Sequence, residues 1–127
     1  IMIGTYALSA GYYDAFYVRA QQVRALMQRE FGEAFTKFDL ILGPTSPVPA
    51  FKIGELSGDP MQLKLLDYCT IPANMLGCPA ISLNCGLADG LPVGLHLMAG
   101  PLRDESLLQA AFSIERALGA SVRPPVP

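Results

Sequence analysis

The sequence predicts an α/β fold, and three observations carry that reading. Residues 12–31 and the stretch after Asp104 repeat apolar side chains at helical spacing. The runs at 40–42, 81–85 and 93–99 are short and apolar or alternate with the period of a strand. These strand runs are apolar enough on both faces to need helices over them. Three strands do not complete such a sheet, so the sheet is expected to be incomplete in this chain.

The elements follow in order. A short apolar helix over 1–9 is separated by Gly11 from a long amphipathic helix over 12–31, whose Tyr13, Phe16, Tyr17, Ala20, Val23, Met27 and Phe31 share a face. Gly32 is expected to interrupt it, with Ala34, Phe35 and Phe38 resuming helically. "DLILGP" reads as a buried strand, Leu40 to Leu42, stopped by Gly43-Pro44. "PTSPVPAF" holds three prolines in eight residues and is an extended loop. A helix starts at Asp59-Pro60, where Asp59 suits the cap, Pro60 the first helical position and Gln62 a capping box. Pro72 is expected to push Ile71 to extended geometry and end that helix near Cys69. Asp67 would then sit in its last turn, sharing a face with Leu63 and Thr70.

After Gly77-Cys78-Pro79, Ile81, Leu83 and Cys85 alternate as a strand, "GLADGLP" turns, and Val93, Leu95, Leu97 and Ala99 alternate as another. The two should pair as a hairpin with a connection of about five to seven residues. Asp104 caps a last helix with Leu107, Ala111, Ile114 and Leu118 on one face and Gly119 at its end, before an "RPPVP" tail.

Composition narrows the function classes. The chain has 127 residues, 51% of them hydrophobic and 16% charged, with a mean hydropathy of +0.34. That is apolar for a small domain, yet Gly, Pro and charged residues interrupt every run that could cross a bilayer. The excess apolar surface is therefore expected to face protein. The chain opens at Ile1 with no signal-peptide pattern, and it reads as a piece of something larger. A net charge of −2, with Arg19, Arg24 and Arg29 spread among Gln and Glu, argues against direct nucleic-acid binding. Cys69, Cys78, Cys85 and the lone His96 match no zinc spacing, and three cysteines make no disulfide framework. Small buried thiols in a reducing compartment, and no metal, are expected.

No nucleophile elbow, second histidine or phosphate loop is present. Ser46, between prolines, reads as a turn residue, and His96 as a strand residue hydrogen-bonded to backbone. Asp67 is the exception. In "LKLLDYCTIPANMLGCPAIS", residues 63–82, it is the one carboxylate, beside the one cation Lys64. A solvated face and a ligand for something positive both remain open on these residues alone.

"DLILGPTSPVPAF" and "DYCTIPANMLGCPAISLNCGLADGLPVGLHLMAGPLRDESLLQAAFSIE" together resemble the C-terminal part of the amidase-signature family. The opening "IMIGTYALSAGYYDAFYVRAQQVR" resembles one branch of it, the glutamine-hydrolysing A subunits of tRNA-dependent amidotransferases. The resemblance implies that residues 1–127 are the C-terminal segment of an amidase-signature domain, a mixed sheet flanked by helices. It implies a Ser–cis-Ser–Lys triad in a region upstream of Ile1, so this segment alone should be inactive, and none of Lys37, Lys52 or Lys64 stands in such a motif. No catalytic residue is assigned. The whole enzyme would hydrolyse glutamine and pass ammonia to a B subunit. That partner would use ATP and Mg²⁺ to amidate mischarged Glu-tRNA(Gln) or Asp-tRNA(Asn), with a small C subunit holding the pair. The segment itself would carry no cofactor. Transfer RNA would be held mainly by the partners, in the cytoplasm of a bacterium or in an organelle, with no membrane contact.

By the same resemblance Asp67 takes the α-ammonium of glutamine, and an Arg directly before Ile1 takes the α-carboxylate. Thr70, Pro72, Asn74 and Gly77 are candidates for the pocket floor. Two rival readings stand beside this one: an amidase-signature hydrolase of other amides, and a non-catalytic segment that completes another protein's sheet.

Overall fold

Leu40, Leu97 and Leu107, far apart in the chain, meet in one apolar cluster. The elements that bring them together appear in a computed structural model describing residues 2–7, 12–56 and 58–119. The chain divides into two units, residues 1–37 and 38–127.

The first unit is helical: α1, Met2–Ala7, then a π-helical segment, Tyr13–Val18, running into α2, Arg19–Phe35. The wider π turn brings aromatic side chains together, with Tyr12 and Phe16 stacked at 5.8 Å and Tyr13 and Tyr17 tilted at 5.0 Å between centroids. Contrary to expectation, Gly32 does not interrupt α2. A single helical glycine costs only about 1 kcal/mol against alanine. The helix stops instead at Phe35, where the Thr36 hydroxyl donates to the Glu33 carbonyl at 2.7 Å and Lys37 N–H to that of Ala34 at 2.9 Å. Phe38, expected to be helical, lies outside the helix and is exposed. The far end of the expected helix over 1–9, Gly11 and the "RPPVP" tail lie outside the described residues.

The second unit is built on a three-stranded sheet of β1 (Leu40–Pro44), β2 (Ala80–Ala88) and β3 (Leu91–Ala99), with β3 in the centre. Both pairings are antiparallel. The strand expected at 40–42 runs on through Gly43 and Pro44, which pair with His96 and Leu95. An outer strand tolerates a terminal proline, and Thr45 N–H resumes the ladder by donating to the Gly94 carbonyl at 3.0 Å.

The β2–β3 hairpin is tighter than expected, because Ala88 pairs directly with Leu91. Only Asp89 and Gly90 turn, with φ of 53° and 78°, the two positive values that a type I′ turn requires. The longer strands absorb an extra residue as a bulge at Cys85, between the pairs Asn84–Gly94 and Gly86–Val93. Asn84 Oδ1 holds the bulge by accepting from Gly86 N–H at 3.0 Å.

α3 (Pro60–Leu65) begins where expected, with Asp59 accepting from Met61 and Gln62 N–H. The capping box is not completed through Gln62, since Asp59 N–H donates to the Leu56 carbonyl. Ile71 is not extended, because it opens α4 (Ile71–Leu76) and Pro72 stands in the first turn, where a missing N–H is harmless. α5 (Asp104–Leu118) starts at Asp104 rather than after it, and Arg103 precedes it without a side-chain cap. Asp104 and Glu105 in the first turn instead favour the positive end of the helix dipole. Gly119, at φ 59°, ends α5.

α5 lays Leu107, Ala111 and Ile114 on Leu83, Leu95, Leu97 and Ala99 of the sheet, while Leu118 stays exposed. Leu97 is wholly buried. Leu97→Ala is predicted to lower stability by about 2–5 kcal/mol, read as a shift of the denaturant midpoint. A loss below about 1 kcal/mol would show that this cluster does not hold the unit together.

Candidate functional site

The turn between α3 and α4, with α4 itself, brings together Asp67, Thr70, Asn74 and Gly77, whereas Ser46 and His96 lie elsewhere, in the proline loop and on β3. α3 ends at Leu65, so Asp67 lies beyond it, in the turn before α4, rather than in a last helical turn. Its backbone is pinned: the Asp67 carbonyl accepts from Thr70 N–H at 3.0 Å and Ile71 N–H at 2.9 Å, and from the Thr70 hydroxyl at 3.1 Å. The Asn74 side-chain amide donates to the Thr70 carbonyl at 3.1 Å. Gly77, at φ 69° in the left-handed region, closes α4 by donating to Ala73. Thr70 and Asn74 therefore spend donors on the turn itself. The Asp67 carboxylate is exposed and makes no hydrogen bond or ion pair among the described residues. A rigid backbone thus presents a free anion, an arrangement suited to an ammonium group.

A second polar feature lies on the sheet. The Thr45 and Ser82 hydroxyls are hydrogen-bonded at 2.5 Å, and Thr45, Ser46, Ser82 and Gly94 line a cavity of about 450 Å³. A neighbouring cavity of about 320 Å³ shares Pro47, Val48, Pro49, Phe51 and Leu66 with it. Leu66 joins the two regions, since it walls both cavities and directly precedes Asp67; Asp67, Thr70 and Asn74 line neither. Sequence reasoning noticed Ser46 and passed over Thr45 and Ser82. The available signal was Gly94, a residue without a side chain in the middle of a strand.

His96 stands on β3 between Gly43 and Ser82. Burial holds its imidazole below the ordinary value of 6.5. Burial also raises the Cys78 thiol, and no group of His, Cys, Asp and Glu among the described residues could hold a metal. No helix among them is long and apolar enough to cross a membrane.

The sequence matches the family described as Amidase over residues 1–108. The chain is similar to the A subunit of the glutamyl-tRNA(Gln) amidotransferase of Moorella thermoacetica, 56% identical over 117 residues, which are 92% of this chain and 24% of that protein. It is 53% identical to the corresponding protein of Anaeromyxobacter sp. (strain K), covering 100% of this chain and 26% of that one. The crystal structure of the Thermotoga maritima counterpart superimposes with a TM-score of 0.80 at 45% identity, over 91% of this chain and 25% of that one. A 6-aminohexanoate cyclic dimer hydrolase superimposes at 0.74 with 28% identity, over 92% and 26%. The chain thus spans about a quarter of the length of the curated relatives it matches.

His96 generates a pH prediction. Its folded pKa is depressed, so the unfolded chain binds the proton more readily. The stability that neutral His96 supports is present above about pH 6.5 and is lost as pH falls through the folded pKa. His96→Gln is predicted to flatten this acid limb in denaturant titrations at stepped pH. Parallel limbs in the two proteins would contradict it.

Proposed function

The chain belongs to the amidase family, and from that membership we propose that it is a segment of the glutamine-hydrolysing component of a tRNA-dependent amidotransferase. The observation that carries this reading is the free carboxylate of Asp67 on its pinned turn, in a chain about half identical to such proteins. Glutamine differs from a simple amide by its α-ammonium and α-carboxylate, and an enzyme that selects it needs a countercharge for each. Asp67 supplies the first, with Thr70 and Asn74 holding the turn that carries it.

Magnitude constrains the role. An ion pair open to solvent contributes under about 1 kcal/mol, whereas a desolvated charged hydrogen bond contributes about 1.5–3 kcal/mol. Asp67 is exposed in this chain, so selectivity requires the whole site to close over the bound amino acid.

The reaction is hydrolysis of the side-chain amide: water adds, glutamate and ammonia leave. In the complete assembly the ammonia passes to a B subunit, which uses ATP and Mg²⁺ to amidate mischarged tRNA, and a C subunit holds the two together. The segment carries none of the family's catalytic serines or its lysine and is inactive alone. On this reading the assembly acts in protein biosynthesis, in the cytoplasm of a bacterium or in an organelle.

A general amide hydrolase is the second reading, favoured by the likeness to the cyclic dimer hydrolase. Asp67 separates the two. In the enzyme carrying this segment, Asp67→Asn is predicted to lower kcat/KM for glutamine about tenfold or more and to leave an uncharged short amide unaffected. Steady-state kinetics on both substrates checks it. If both are unchanged, the general-hydrolase reading takes its place.

A further inference from the structure

The sheet face turned away from α5 carries Gly43, Gly94, His96, Ser82 and Asn84 by strand alternation, and Thr45 continues it past the end of β1. β1 and β2 flank β3, so they run about 9–10 Å apart. Side chains from two such strands can touch only across a residue that leaves the space open. Thr45 Oγ1 and Ser82 Oγ do touch, and Gly94 is what lies beneath them. A Cβ at Gly94 would stand 2.5 Å from Thr45 Oγ1 and 2.6 Å from Ser82 Oγ. Thr45 is tied a second time, through its N–H to the Gly94 carbonyl at 3.0 Å.

Beyond Thr45 the chain has few ties. Residues 46–51 make no hydrogen bond among the described residues, and the next anchor is the turn in which Lys52 N–H donates to Glu55 Oε2 at 2.8 Å. Prolines 47 and 49 stiffen the loop without attaching it. Its placement therefore hangs on Thr45 at one end and on the Lys52–Glu55 turn at the other. This loop, with Leu66, walls both cavities.

We propose that the Thr45–Ser82 hydroxyl bridge across Gly94 positions the proline loop against the Leu66–Asp67 turn and so sets how tightly the enzyme holds its amide substrate. Thr45 and Ser82 are positioning residues in this account. The inference rests on the amide-hydrolysing reading above.

The test uses the active enzyme carrying this segment, assayed on glutamine and on an uncharged short amide, with Thr45→Val, Ser82→Ala, the double variant and Thr45→Ser. Each single loss of the bridge is expected to raise KM about fivefold or more for the amide hydrolysed best, with kcat within about twofold. The double variant should match the singles, since one bond is lost in each, and Thr45→Ser, which keeps the hydroxyl, should restore the wild-type KM. A merely destabilised fold would lower the active fraction, and so kcat, without this pattern. Unchanged KM in both single variants, or effects that multiply in the double variant, overturns the inference alone. A wild type that hydrolyses neither amide overturns the amide-hydrolysing reading and the inference with it.

Discussion

The second unit depends on one face of β3. Leu95, Leu97 and Ala99 point at α5 and close the apolar cluster with Leu83, Leu107 and Ala111. Because a strand alternates, burying these residues commits Gly94 and His96 to the opposite face. The glycine then lies between Thr45 and Ser82, and His96 stands in register between Gly43 and Ser82. A slip of one residue in register would bury the polar set and expose the leucines. The core thus fixes which face can carry a polar bridge and where the proline loop begins.

The turn that bears Asp67 follows a different logic. α3 and α4 are six residues each, too short to be stable by their own helical bonds. The link between them is held by side chain and backbone together: Thr70 turns its hydroxyl back to the Asp67 carbonyl and Asn74 reaches the Thr70 carbonyl. These neutral bonds leave the carboxylate uncommitted. An anion placed this way is of little use to a hydrolase of uncharged amides, and it is what a selector of an amino acid needs.

Much of the second unit could be read from residues. Alternation located β2 and β3, Asp59-Pro60 located the start of α3, and the spacing of Leu107, Ala111 and Ile114 gave the buried face of α5. Three of the errors share a cause, which is reading glycine and proline as stops. Gly32 continues α2, Pro44 ends an outer strand, and Pro72 sits in a first helical turn, each where the particular backbone position tolerates it. The hairpin length was misjudged because Asp89-Gly90 suffices as a turn once Cys85 is taken up in a bulge. At the site, composition left Asp67 undecided, and only the resemblance gave it a ligand. The Thr45–Ser82 bridge was not legible, since it joins residues from two strands across a third and shows only when register is known.

The proposed selectivity rests on one contact, the Asp67 carboxylate reading the α-ammonium of the substrate. The most direct measurement compares kcat/KM of the complete enzyme for glutamine and for 4-carbamoylbutanoate, which keeps the amide and the carboxylate and lacks only the ammonium. Glutamine is expected to be preferred by about tenfold or more, the equivalent of one desolvated charged hydrogen bond. Equal values for the two would contradict it.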